Sequence, residues 1–438
     1  MKSFCIKTLG CKVNQCEADD VRQRLLEFGL SESRDFLTAD IRIINTCCVT
    51  GRAERKSRQL IRQAARCEGR PDGCVVVTGC YPGYERKWIE KTEGIDKVFG
   101  QKEKRQFFSW LKTFESRRKT RVVLPAGHGG RTRAFLKIQD GCDNRCSYCV
   151  VPLMRGPSTS LGSAHVLAHA RVLAESGRKE IVLTGVNIGS FGKKRAGVKQ
   201  PLVHLIRALE KVEGLERIRL SSIEAGDVSE DLIRLMAVSD KLCPHLHIPF
   251  QSGDDQVLAA MNRRLRAADY LRLVDEARKA VRNLAVTCDM IVGFPVEEER
   301  QFRQTLSFVR QVRPLKVHVF PFSLRRGTAA ASAYKPLAPG VVKERADVLR
   351  TVASEVAQGL LQERVGSLVD VLCEQREEGW WTGHSAEYFK VYVDSREHLH
   401  NQIRRVRVLG LRKEGVFGGF AGEDRGLLPA LGGPATLS

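Results

Sequence analysis

Gln139-Asp-Gly-Cys142-Asp-Asn-Arg-Cys146-Ser-Tyr-Cys149-Val-Val-Pro152 carries three cysteines at C-x3-C-x2-C spacing. Three thiolates fall one short of the four Cys or His ligands that close a structural zinc tetrahedron. A four-iron four-sulfur cluster also has four metal corners. Three cysteines leave one iron open, and an open metal position is where a substrate binds. The spacing therefore points to a reactive cluster. The competing readings are a three-cysteine zinc site completed by a distant His, or chance clustering in a Cys-rich chain.

The triplet follows an apolar run, Phe135–Gln139, that opens a series of strand patterns. The others are Ile181–Val186, Ile218–Ser222, Leu246–Phe250, Val286–Gly293 and Val317–Phe322. Helical patterns such as Leu202–Val212, Tyr270–Val281 and Glu298–Val312 separate them. Units at spacings of roughly 30–45 residues predict a parallel, partly closed (β/α)6 barrel. The triplet then lies at the carboxyl-end face, where such barrels place their chemistry.

Before the barrel, strand candidates Phe4–Leu9, Ile41–Asn45 and Cys74–Thr78 alternate with helix candidates Asn14–Phe28 and Gly51–Arg66. This predicts an open parallel α/β domain. Each strand ends in a cysteine-bearing turn, at Cys11, Cys47 and Cys80. Ligands gather beyond the carboxyl ends of such strands, so these cysteines are expected to converge on one metal centre. Cys48 competes with Cys47, which holds the matching offset. The basic stretch Lys102–Arg121 reads as a connector plus exposed helix.

After Gly366 the pattern changes to short alternating strands, Leu368–Cys373, Phe389–Val393, Ile403–Leu409 and Val416–Phe420, with Trp380–His384 placed in a turn. This predicts a small antiparallel β-barrel of the kind that holds oligonucleotides. The tail from Gly422 to Ser438 reads as disordered. Domain boundaries are expected at 1–120, 128–360 and 364–425, with 426–438 as the tail.

Bulk properties narrow the class. No run of ~20 apolar residues appears, so no transmembrane helix is expected, and the N-terminus lacks a secretory pattern. Fourteen cysteines in such a chain argue for thiols and metal ligands rather than disulfides. A net charge of +21 favours a polyanionic partner, most simply nucleic acid. A cytoplasmic monomer is expected.

The cysteine triplet with Tyr148 before its third member resembles the signature of the radical S-adenosylmethionine (SAM) superfamily. There the open iron chelates SAM, whose reductive cleavage gives a 5′-deoxyadenosyl radical. Together with Thr8-Leu-Gly-Cys-Lys-Val-Asn-Gln-Cys-Glu17, Asn45-Thr-Cys-Cys-Val49 and Thr78-Gly-Cys80, the chain resembles the methylthiotransferases over nearly its whole length. The segment Gly366–Phe420 is similar to their RNA-binding TRAM barrel. Ile138–Cys142, Leu183–Ile188, His245–Gly253 and Val317–Phe322 resemble the bacterial threonylcarbamoyl branch. That resemblance implies methylthiolation at C2 of N6-threonylcarbamoyladenosine next to the tRNA anticodon. Isopentenyladenosine in tRNA, an aspartate of a ribosomal protein, and a non-catalytic iron–sulfur RNA-binding protein are the alternatives.

The resemblance also assigns roles. Cys142, Cys146 and Cys149 hold the SAM-cleaving 4Fe–4S cluster, and Cys11, Cys47 and Cys80 hold a second, auxiliary 4Fe–4S cluster. Tyr148 is expected at SAM; from their strand-end positions so are Gly185, Asn187, Ser222, Glu224 and Gln251, with an ordinary glycine turn at Gly185–Asn187 and plain loop residues at the others as the alternative. Arg155, Trp381, Arg404 and Arg405 are expected at RNA, with a solvated arginine as the alternative for Arg155. A low-potential electron donor of flavodoxin or ferredoxin type is implied; the sulfur donor is not. No catalytic side chain beyond the cluster ligands is required. Trp380, His384 and Tyr388 are candidates for base stacking, with at least one of the aromatic cluster expected in the core. Arg55, Arg58, Arg62 and Arg66 form either a phosphate-tracking or an ordinary charged helix face. His245 and His247 read as hydrogen-bonded core histidines, and Cys5, Cys74, Cys243, Cys288 and Cys373 as buried hydrophobes. Two positions depart from the family pattern: Thr159 stands where an arginine is usual, and Val296 where a glycine is.

Overall fold

The computed structural model describes residues 2–66, 73–114, 131–193 and 199–421. The chain divides into two compact units, Met1–Ala357 and Gln358–Ser438.

The first unit begins with β1 (Ser3–Thr8), α1 (Lys12–Glu27), β2 (Ser31–Glu32), β3 (Ile41–Thr46), α2 (Gly51–Ala65), β4 (Cys74–Gly79), α3 (Tyr81–Glu90), β5 (Lys97–Gly100) and α4 (Lys104–Leu111). The strands form one parallel sheet in the order β2-β1-β3-β4-β5. Every residue of β3 is buried, as expected of a central parallel strand covered on both faces. The Thr50 hydroxyl caps α2 by accepting from the Ala53 amide, and Glu54 sits in its first turn, where the helix dipole favours a carboxylate. The sequence expectation omitted α3 and β5. It also treated the basic stretch from Lys102 as exposed, whereas α4 buries Phe107 and Leu111 against Phe4 and Ile43. An amphipathic helix hides its apolar stripe behind abundant lysine and arginine.

The barrel comprises β6 (Ala134–Lys137), β7 (Gln139–Asp140), α5 (Val151–Arg155), β8 (Thr159–Ser160), α6 (Ser163–Glu175), β9 (Glu180–Thr184), α7 (Pro201–Glu210), β10 (Arg217–Leu220), α8 (Glu230–Val238) and β11 (His245–Gln251). It continues with α9 (Asp255–Ala260), α10 (Ala267–Ala280), β12 (Ala285–Val292), α11 (Glu299–Val312), β13 (Lys316–Pro321), α12 (Ala329–Ala333) and α13 (Pro339–Gln362). Sheets β6-β9-β10 and β11-β12-β13 are parallel, and bridges Ile218↔Leu242 and Ser222↔His247 join them. Among the described residues no pairing joins β13 to β6, so the barrel stays open as expected. Leu136, Leu183, Leu220, Leu246, Val286 and Val317 share one core with the surrounding helices.

The second unit contains β14 (Leu368–Glu377), β15 (Trp380–Ser385), β16 (Lys390–Val393), β17 (Ile403–Arg412) and β18 (Gly415–Phe420), closed in the order β14-β15-β16-β18-β17. All pairings are antiparallel except β16 with β18. Trp380–His384 is strand β15, not a turn. The turn is Glu378-Gly379, where both residues take positive φ and form the tight connection of a hairpin. The expected disordered tail lies outside the described residues.

Candidate active site

The triplet occupies an irregular loop between β7 and α5. Gly141 has φ +69°, and a Cβ there would lie 2.1 Å from the Pro157 carbonyl oxygen, so the approach to Cys142 requires glycine. The Cys142 amide donates to the Gly156 carbonyl at 3.1 Å. The Ser147 hydroxyl donates to Ala260 O at 2.8 Å, its amide to Met261 O at 3.0 Å, and its carbonyl accepts from the Ala330 amide at 2.7 Å. Backbone from three parts of the barrel thus fixes the loop. Burial, the leading cause, pushes the Cys142 thiol up to about 11 and the Cys149 thiol to about 12. Thiols this reluctant to ionise become ligands when a cationic metal displaces their protons.

Arg263, absent from the sequence expectation, lies 3.7 Å from Cys146 Sγ and grips Glu224 at 2.9 and 2.5 Å. Glu224, expected at SAM, is therefore held in a bidentate pair beside the triplet. Asn187 is also committed. Its amide group donates to Ser190 Oγ at 2.9 Å and Asp227 Oδ2 at 2.6 Å, and its Oδ1 accepts from the Gly189 and Glu224 amides at 3.2 Å. Its side chain builds the wall from which a ligand would be held by others. Gly185 makes room for Gln139, since a Cβ there would sit 2.8 Å from Gln139 Oε1. Gln139, also missed, bonds Gly141 O at 2.7 Å, Ser158 Oγ at 3.0 Å and the Asn187 amide at 3.0 Å, tying the cluster loop to the second strand end. Ser222 and Gln251 are half-buried at their strand ends. Gln251 has φ +72° where the β11–β12 register shifts, a conformation non-glycine residues hold only when their surroundings impose it. Tyr148 packs against Val257, Met261 and Phe294.

Both departures from the family pattern are accommodated. Thr159 is exposed and pairs with Asp140 in the β7–β8 ladder. Val296 sits in the turn that the Glu297 amide closes on the Phe294 carbonyl at 2.8 Å, with φ outside the left-handed region, so no glycine is needed.

The second cysteine set converges on Asn14. Asn14 is fully buried and donates to Leu9 O and Thr46 O, both at 2.9 Å. Its Oδ1 lies 3.9 Å from Cys11 Sγ and 4.0 Å from Cys80 Sγ. Cys47 Sγ would lie 2.9 Å from a Cβ on Gly10, whose φ is +104°. Cys47 is held by Ser57, whose hydroxyl accepts from its amide at 3.1 Å and donates to its carbonyl at 2.8 Å. Cys48 instead enters the apolar core with Val75, Val77 and Tyr81. Cys11 and Cys80 are the N-cap residues of α1 and α3, and burial pushes the Cys80 thiol up to about 12. Among the described residues, the one trio of Cys, His or carboxylate ligand atoms lying within 4.8 Å of one another is His247, Asp289 and His318.

Arg155 ties the segment of the first cysteine set to that of the triplet, and its burial corrects the RNA assignment. Its side chain is 2% exposed and pairs with Glu17 at 2.9 Å and Asp140 at 2.8 Å, while also reaching Asn14. Lys104 and Lys137 complete this network. Burial would raise the Glu17 carboxyl; Arg155 and the lysines outweigh it and hold it below the carboxylate range. Arg155 is a buried tie. Trp381 is likewise corrected: it is buried, with its indole N–H donated to Glu397 O at 2.7 Å. Period 2 along β17 puts Arg405 and Arg407 outside while Val406 and Val408 turn in. Arg404 pairs with Glu397 at 2.7 Å. Trp380 stays half-buried under the Arg412 guanidinium, and His384 stacks on Tyr388. Arg58 and Arg62 lie over Trp88, which supports the charged-face reading of α2.

His245 and His247 share the Thr287 hydroxyl at 2.9 Å each, as expected of hydrogen-bonded strand histidines. Cys5, Cys243, Cys288 and Cys373 are buried and Cys74 is half-buried.

Residues 136–309 match the Radical SAM superfamily and residues 3–100 the family described as Uncharacterized protein family UPF0004. The chain is 36% identical to threonylcarbamoyladenosine tRNA methylthiotransferase MtaB of Bacillus subtilis (strain 168), covering 93% of this chain and 94% of the relative. It is 32% identical to tRNA-2-methylthio-N(6)-dimethylallyladenosine synthase of Alkaliphilus oremlandii, over 94% of this chain and 91% of the relative. Among solved structures it resembles the radical S-adenosylmethionine methyltransferase TsrM from Kitasatospora setae, with cobalamin and a [4Fe-4S] cluster bound. The TM-score is 0.55 at 14% identity, over 76% of this chain and 74% of the other, and shows the fold. Among the described residues no helix is long and apolar enough to cross a membrane. The protein is an enzyme with a 4Fe–4S cluster and SAM as cofactors, and the chain belongs to the radical SAM methylthiotransferase family.

Proposed function

We propose that the protein adds a methylthio group to C2 of N6-threonylcarbamoyladenosine next to the anticodon of tRNA. The observation that carries this reading is the meeting of Cys11, Cys47 and Cys80 around Asn14, tied through Arg155 to the strand before the Cys142–Cys149 loop. Two metal centres in one compact unit suit a reaction that needs both a radical source and a bound sulfur. Cys142, Cys146 and Cys149 hold one 4Fe–4S cluster, and Cys11, Cys47 and Cys80 a second. Bound there, SAM and the clusters supply one-electron chemistry and a site for the sulfur to be transferred. The chain's own residues bind, orient and shield. An aromatic C–H is too weakly acidic for a side-chain base, so no paired carboxylates or Ser/His/Asp set is called for. Gly185, Ser222 and Gln251 line the SAM side, with Asn187 and the Arg263–Glu224 pair as their support.

Residues 1–120 serve as the auxiliary-cluster domain, 128–360 as the radical SAM core and 364–425 as the RNA-binding barrel. The net charge of +21 supports tRNA as partner. A low-potential flavodoxin- or ferredoxin-type donor, a monomeric state and a cytoplasmic location belong to the same reading. Isopentenyladenosine is the second substrate reading, favoured by the Alkaliphilus relative.

The test is mass spectrometry of tRNA nucleosides from cells with and without the protein. Loss of the 2-methylthio derivative of threonylcarbamoyladenosine alone is expected; loss of the isopentenyl derivative instead would move the assignment to the second branch. Reconstituted protein should hold about eight iron per chain, the content of two 4Fe–4S clusters. The C142A/C146A/C149A variant should keep about four, and loss of all its iron would rule out two independent centres.

A further inference from the structure

Strands alternate their side chains between faces. On one face of β11, β12 and β13, Leu246, Ile248, Val286, Met290, Val317 and Val319 pack toward the helices. The other face, toward the open lumen, carries His245 and His247, Thr287 and Asp289, then Lys316 and His318. Lateral register brings these into one patch: Thr287 pairs with His247 and Lys316, and Asp289 with His318. His247 Nε2 lies 3.3 Å from Asp289 Oδ1, and the His247 and His318 ring centroids are 5.7 Å apart. His318 is exposed and its two partners half-buried, so the patch is reachable from the lumen. Ser222, at the SAM end of β10, bridges to His247.

Nothing in the cluster ligation uses this patch. Its donor set, two imidazoles and a carboxylate, would also suit a divalent cation. The surrounding charge decides against that. Lys12, on α1 beside Cys11, acts electrostatically on Asp289, His318 and His245, and Lys316 acts on His318. A bare cation would meet these ammonium groups. An organic ligand with an anionic group and a neighbouring hydroxyl or amide N–H would meet complementary partners throughout. An apolar ligand would offer nothing to the charges and ring nitrogens along this wall, and a site built to pair polar groups rejects the analogue that lacks their partners.

We propose that Lys12, His247, Asp289 and His318 form the specificity wall for the amino-acid-like group on the substrate adenosine. Lys12 and His318 take its carboxylate, and Asp289, oriented by His247, takes a hydroxyl or N–H donor. The assignment rests on the threonylcarbamoyl reading above and explains how the fold would choose it over an isopentenyl group.

The test compares reconstituted full-length enzyme on three anticodon stem-loop RNAs, carrying threonylcarbamoyladenosine, its methyl ester, or isopentenyladenosine. The wild type should prefer the acid over the ester in kcat/KM by at least ~10-fold, the order of one charge-assisted contact. Lys12→Met and His318→Phe should each bring that ratio toward one. The ratio is internal to each variant, so partial loss of a cluster near Cys11 cancels from it. An unchanged ratio in both variants, with the acid still converted, overturns the wall and leaves the function standing. Conversion of the isopentenyl RNA alone overturns both.

Discussion

Glu180 and Arg219 face each other at 2.7 Å at the lumen floor, with 0% and 1% exposure. Burial alone would raise the Glu180 carboxyl; Arg219, with further arginines at 133 and 217, takes it from the ordinary 4.5 down to about 2. A depressed carboxylate stabilises the fold above its unfolded pKa, and that stability is lost as pH falls through the folded value. The acid limb of stability should therefore fall between pH 4.5 and about 2. Glu180→Gln should remove that part of the slope and cost ~3–5 kcal/mol at neutral pH, because it takes the compensating carboxylate charge away from a buried guanidinium. Urea midpoints from pH 2 to 7 check both, and a neutral-pH midpoint like wild type would show that the pair is replaceable. Arg263 and Asn14 are the same kind of residue. Each is recognisable only by what it touches, Cys146 Sγ and Glu224 in one case, Cys11 and Cys80 in the other.

Two glycines flank the cluster loop, and they separate close approach from backbone strain. Gly141 (φ +69°) has Pro157 O at 2.1 Å from a would-be Cβ, whereas Gly156 (φ +78°) has nothing within 4 Å. Gly156→Ala meets no clash, but φ +78° with ψ −164° is a conformation open essentially to glycine alone, so it should cost ~1–3 kcal/mol of backbone strain. Gly141→Ala should also displace the β7–β8 ladder and release the triplet's iron, leaving the ~4 iron of the other centre. Iron analysis of the two variants checks this; equal iron in both would mean that the loop moves freely. The strand ends of the first sheet follow the same logic. A Cβ on Gly79 (φ +100°) would lie 2.3 Å from Thr46 O, so the turn into Cys80 depends on glycine.

The two compact units make a division of labour testable. All six cysteines proposed as cluster ligands lie upstream of Gln358, in the first unit. A chain ending near Val365 should keep both clusters and reductive SAM cleavage. Its tRNA affinity should fall, because stacking is worth ~1–3 kcal/mol per base; Trp380 and the His384–Tyr388 pair are the candidate platforms, and Arg405 and Arg407 face outward on β17. Residual binding should be weak and salt-sensitive. Affinities across a salt series check this, and equal slopes for both chains would show that the barrel is not an RNA module and favour the ribosomal-protein substrate.

What was legible in the sequence was local or periodic. The triplet spacing, the glycine–cysteine turns after three apolar runs, and the six β/α units are all short-range patterns, and the elements fall within a few residues of their expected places. What only the tertiary structure decided were relations between residues far apart in the chain. Arg155 reads as a free cation beside a cluster, yet it is buried because Glu17 and Asp140 arrive from two different segments. Trp381 reads as a stacking platform until the barrel closes and the Glu397 carbonyl takes its N–H. Asp289 and His318 sit in runs whose apolar alternation is all the sequence displays. Parallel pairing sets them side by side on the lumen face, because register between strands is fixed by packing and hydrogen bonding across the sheet rather than by anything in either strand alone.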